Sequence, residues 1–181
     1  MKYLSFVGVV LVASVLATGC GGSSDSDSTS ATADWADGVC SAITTWTDSI
    51  KSAGDSLKSG GISEDSLKSA ADDLTSATET LESDLEDLGK PDTEAGQQAQ
   101  DSLDQLSSDL KTNTDSITTA VDDASGVSGA VSAATTVSTT LATMGEQVSS
   151  TVNSLEQLDA SGELKTAFEQ SSTCQQLSTS T

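Results

Sequence analysis

The chain has 181 residues and a formal net charge of −21, from 28 acidic residues against seven lysines, with neither Arg nor His. Lacking Arg, it has no bidentate fork for phosphate or carboxylate, and lacking His it misses the commonest general base and transition-metal ligand. A surface this anionic repels the nucleic-acid backbone and anionic lipid headgroups alike, so no nucleic-acid partner is expected and membrane attachment needs something other than charge.

The length allows one domain with tails. Ser and Thr supply about three residues in ten and aromatics 3%. Such a composition leans toward disorder, and only a sustained hydrophobic period argues against it.

The N-terminus reads Met1-Lys2-Tyr3, an apolar run from Leu4 to Ala17, then Thr18-Gly19-Cys20. One early positive charge, a short apolar stretch and small residues before a cut site describe a secretory signal over residues 1–19. The run is short for a membrane span, which needs roughly 20 apolar residues. Leu16-Ala17-Thr18-Gly19-Cys20 resembles the lipobox of bacterial lipoproteins, with Ala17 at the place where that family most often has Leu. The resemblance implies lipidation of Cys20 with acyl chains of the palmitate type, and cleavage just before it. The alternative is an ordinary signal peptide that leaves Cys20 a free thiol. Two or three acyl chains are what stable anchoring requires. Residues 20–33, rich in Gly, Ser, Thr and Asp, are expected to form a flexible polar tether, ahead of a folded domain over 34–178 and a tail at 179–181.

Three cysteines are an awkward number for an exported chain. With Cys20 assigned to lipid, Cys40 and Cys174 remain as a pair that an oxidising compartment favours as a disulfide. Two reduced thiols or a redox pair are the alternatives. The second lacks support, since no Cys-x-x-Cys spacing and no His are present to activate a thiolate.

From Trp35 onward apolar residues recur at helical spacing. The first stretch carries Trp35, Val39, Ile43, Trp46, Ile50, Ala53 and Leu57, and Gly60-Gly61 breaks it. The second, capped by Ser63, repeats Leu67, Leu74, Leu81 and Leu88, until Gly89-Lys90-Pro91 stops it. The third, with Asp92 as the expected cap, holds Ala95, Ala99, Leu103, Leu106, Leu110, Ile117 and Val121. The fourth, after Gly126, repeats Val127, Ala134, Leu141, Val148 and Leu155. A short last segment follows Gly162, with Leu164, Phe168 and Leu177. The expected fold is therefore all-α: an elongated, antiparallel up-and-down bundle of about four long helices plus a short C-terminal segment. On a regular path that segment carries Cys174 roughly 10 Å above Cys40, so a bridge requires it to break near Ser171-Ser172 or cross obliquely.

No cluster points to catalysis. Asp72-Asp73, Glu86-Asp87 and Asp122-Asp123 lie within helical stretches and read as solvated faces, and no calcium-loop pattern accompanies them. No metal site and no cofactor are expected. The serines lack a base or a Gly-x-Ser-x-Gly context. Trp35, Trp46 and Phe168 read first as core fillers, and only weakly as ligand-binding residues. Trp35-Ala36-Asp37-Gly38-Val39-Cys40 with Trp46, and Ala167-Phe168 ahead of Cys174, resemble small secreted lipoproteins of actinobacteria. That resemblance implies a helical fold with paired cysteines and transfers no catalytic residue.

The leading expectation is a non-enzymatic envelope module, held by its lipid on the outer face of the membrane and meeting a cationic envelope protein. The alternative is a carrier that takes an apolar ligand inside a loosely packed bundle. A solid hydrophobic seam favours the first. An apolar cavity beside Trp35, Trp46 or Phe168 favours the second.

Overall fold

The computed structural model describes residues 24–158 and 162–180. Cys20 and the expected signal segment over residues 1–19 lie outside them. The described residues form α1 (Ser24–Gly60), α2 (Glu64–Leu88), α3 (Gly96–Asp122), α4 (Gly126–Leu155), α5 (Glu163–Gln170) and α6 (Ser172–Ser180), with no strand among them. The molecule is an all-α bundle in which consecutive long helices pack side by side. At 1.5 Å per residue, the 37 residues of α1 extend over about 55 Å.

The predicted stripes form the core. In α2 they bury Leu67, Leu74, Leu81 and Leu85, and in α3 Leu103, Leu106, Leu110, Ile117 and Val121. The many threonines do not break these helices. Thr44, Thr47, Thr75, Thr112 and Thr118 each donate the hydroxyl to the carbonyl four residues back, which satisfies it without an outside partner.

The turns follow from local chemistry. Ser63 and Ser66 form a reciprocal capping box at the start of α2, with backbone-to-hydroxyl distances of 2.9 and 3.2 Å. Gly89, at φ 59°, ends that helix in a left-handed region that favours glycine. The N-terminus of α4 is capped from another helix, because the Gly126 N–H donates to the Glu64 carboxylate at 2.6 Å. Close by, Lys68 meets Asp122 at 3.6 Å, so the α1–α2 and α3–α4 turns share one end of the bundle.

Three details differ from the sequence reading. Residues 24–33, expected in the tether, already belong to α1. Thr32 is buried there, because it stands three, four and seven residues before Trp35, Ala36 and Val39 and so extends their stripe. Asp92 does not cap α3, whose N-cap is Ala95. The loop instead folds back until a Cβ on Gly96 would lie 2.1 Å from the Pro91 carbonyl oxygen, which holds the helix start at that glycine. Val127 lies outside the seam at 85% exposure, since the first turn of α4 stands at the end of the bundle. The burial in α4 runs instead through Ala130, Ala133, Val137, Met144, Val148 and Leu155.

The chain ends are joined. Cys40 and Cys174 form a disulfide with a Cα–Cα distance of 5.1 Å. The break expected near Ser171-Ser172 makes it possible. Ser171 takes an extended backbone (φ −68°, ψ 120°) between α5 and α6, and both helices pack against α1.

In the chain-entropy account, a bridge across 134 residues contributes at most about 5 kcal/mol. Reduction, or the paired substitution Cys40→Ser and Cys174→Ser, is expected to lower the unfolding free energy in urea by about 3–5 kcal/mol. An unchanged midpoint would mean that packing alone holds the ends together.

Candidate functional site

Around the disulfide the packing is tight and directional. Cys40 is fully buried and Cys174 nearly so. Phe168 meets Trp35 edge to face, with ring centroids 6.0 Å apart and planes at 87°, the arrangement that ring quadrupoles favour. The Trp35 indole N–H donates to the Gly89 carbonyl at 2.9 Å, tying α1 to the end of α2. Ser171 donates to the Asp37 carboxylate and accepts from the Cys174 N–H. Trp35 is thus a core residue with every polar group used, as its position on the apolar stripe implies.

Trp46 has a different setting. Its N–H donates to the Thr78 hydroxyl at 3.3 Å, and Thr78 is in turn 3.2 Å from the Thr114 hydroxyl. This buried polar chain crosses α1, α2 and α3 at one level. It satisfies groups that would each cost about 1–3 kcal/mol if left unpaired, and it fixes the indole in place. One flank of that indole then forms part of the wall of a cleft.

The cleft exists because the bundle is not closed on its fourth side. α2 and α4 approach across the diagonal, whereas α1 and α4 scarcely touch. The C-terminal hairpin of α5 and α6, held on α1 by the disulfide, fills one end of that side and leaves the rest open. The resulting cleft has a volume of about 650 Å³, within the roughly 300–1,000 Å³ typical of small-molecule sites. α1 supplies Ile43, Trp46, Thr47, Ile50 and Lys51, each three or four residues from the next but one, so that all share a face. α4 supplies Leu141, Gly145, Val148, Ser149, Val152 and Asn153, Glu156 follows just past its end, and the hairpin adds Phe168, Glu169, Cys174, Gln175 and Leu177. The lining is predominantly apolar, with polar groups at the rims.

Gly145 is the informative residue. It stands inside α4, where glycine costs about 1 kcal/mol relative to alanine. A Cβ added there meets nothing within 4 Å, so no close approach of another chain segment requires the glycine. What its missing side chain provides is space in the cleft.

The three weak ligand candidates therefore divide. The structure brings Trp35 and Phe168 together in the core, and it sets Trp46 and Phe168 on the cleft. The acidic pairs Asp72-Asp73, Glu86-Asp87 and Asp122-Asp123 stand exposed on helix faces. Among the described residues no group of carboxylates and cysteines converges as metal ligands would. A second groove of about 660 Å³ between α1 and α2 has Trp46, Leu81 and three alanines in its floor and is edged by Ser, Thr and the carboxylates of Asp48, Asp73 and Asp84, so it is more polar at its edges than the α1–α4 cleft.

No family model matches the chain, and neither a curated protein nor a solved structure matches it.

Proposed function

We propose that this protein is a lipid-anchored carrier that holds an apolar ligand in the α1–α4 cleft on the outer side of the cell membrane. The observation that carries the reading is the cleft itself, an apolar recess of about 650 Å³ with a helix-interior glycine facing open space at its centre. Of the two functions expected from the sequence, this is the one that a cavity beside Trp46 and Phe168 favours. The reading involves no catalysis and no cofactor.

Anchoring rests on the resemblance of Leu16–Cys20 to the lipobox. Among the described residues no helix is long and apolar enough to cross a membrane, and in this reading the acyl chains on Cys20 make the attachment. Because α1 is already helical at Ser24, Ile43 lies about 28 Å along the helix from its start. The cleft would then be presented above the lipid headgroups rather than among them.

The interaction-module reading keeps one specific observation. Ile62, Val127 and Val131 are exposed apolar residues at the end of the bundle where Glu64 meets Gly126, amid acidic helix faces. A cationic envelope protein is the partner that this end would suit.

Three experiments separate these claims. Replacing Cys20 with Ala is expected to move the protein from the membrane fraction to the soluble one, and retention would sink the anchor. Gly145→Leu is expected to raise the unfolding free energy in urea by up to about 1 kcal/mol, and to weaken binding of the neutral apolar dye N-phenylnaphthylamine about tenfold or more; equal dye binding by both proteins would remove the cleft as the site. Crosslinking on intact cells should capture a basic protein through the Ile62–Val127 end if the second reading holds, and reproducible capture of lipid alone would leave the carrier.

A further inference from the structure

We propose that the ligand of the α1–α4 cleft is a single-chain amphiphile with an anionic head, an acyl chain ending in a carboxylate, and that Lys51 receives the head. The inference rests on the carrier reading and adds the chemistry and direction of the ligand.

Among the described residues Lys51 is the only cation that lines the cleft. Three of the chain's other lysines are engaged: Lys58 with Asp55 at 3.2 Å, Lys68 with Asp122 at 3.6 Å and Lys165 with Glu169 at 3.7 Å. Lys51 has no ion-pair partner among the described residues, although the chain carries 28 acidic residues. A free ammonium at the rim of an apolar recess, with a stem that can lie along the wall, is the group that a carboxylate meets when its chain enters.

The charges also set a direction. α1 and α4 run antiparallel, so Lys51 and Leu141 stand at one end of the cleft. Glu156 stands at the other, beside Phe168 and the already paired Glu169 and Lys165. An anionic head is attracted at the first end and repelled at the second. A cationic head would take the opposite course. The face of α4 from Leu141 to Leu155 is about 21 Å long, a shape for one extended chain rather than a compact ring system.

Trp46 lines the cleft and Trp35 does not, which provides a readout. The purified protein is titrated with acyl chains brominated near the middle and headed by a carboxylate, a hydroxyl or an amine, while tryptophan emission is followed. Quenching is expected, with affinity rising about fourfold for each added methylene until the face is filled. The carboxylate should bind about fivefold more tightly than the alcohol of equal length, and Lys51→Gln should abolish that preference. Equal binding of acid and alcohol, tighter binding of the amine, or a preference that survives Lys51→Gln overturns the assignment of the head while leaving the carrier standing. Absence of quenching by every chain overturns the carrier reading itself.

Discussion

Cys40 and Cys174 are 134 positions apart in the chain and 5.1 Å apart at their Cα atoms, and the open side of the bundle is shaped by what this bond holds. The hairpin of α5 and α6 is short, eight and nine residues, too short to be stable as isolated helices in water. Docked on α1 through the disulfide, Phe168 and Leu164, it has a buried face and becomes part of the core. It then occupies ground that α4 would otherwise share with α1. The cleft is what remains of that ground, and its lower wall is made of the residues that the bond keeps in place.

The rest of the molecule tolerates a thin core because, among the described residues, its buried side-chain polar atoms are internally satisfied, the Thr93 hydroxyl excepted. Small residues such as Ala99, Ala130 and Ala133 fill seam positions that a sturdier bundle would give to leucine. Buried hydroxyls are used in pairs, as at Thr78 and Thr114, and surface threonines bond back along their own helices. The ion pairs of Lys58, Lys68 and Lys165 are exposed and contribute little to stability. Stability therefore depends on the length of the seams and on the covalent closure more than on any single packed layer.

Much of the fold could be read in advance because helix-forming information is local and periodic. The seven-residue repeat of Leu67, Leu74, Leu81 and Leu88, the Ser63 cap and the Gly89-Lys90-Pro91 stop are all contained in short windows. The errors lie where distant groups decide. The start of α3 depends on the Pro91 carbonyl folding back over Gly96, and the exposure of Val127 depends on where the bundle ends. The cleft was hidden for a related reason. Periodicity shows which face of α4 is apolar, but not whether α1 covers that face, and only the docking of the C-terminal hairpin settles that. One signal was available: Gly145, a glycine in a helix interior between Leu141 and Val148 with no break around it. Trp35 and Trp46 look alike in sequence, and they are told apart only by their acceptors, the Gly89 carbonyl and the Thr78 hydroxyl.

The bond between the chain ends also gives the protein the topology of a ring. Every turn from Gly61 to Gly162 lies inside the covalent circle closed by Cys40 and Cys174. A protease that cuts one of those turns leaves both pieces on one molecule, and two cuts are needed before any part can diffuse away. A single cut ahead of Cys40 acts differently, since it severs the whole body from whatever the N-terminus holds. The integrity of the bundle and its connection to the N-terminal segment are thus exposed to cleavage at separate places, the one guarded twice and the other once.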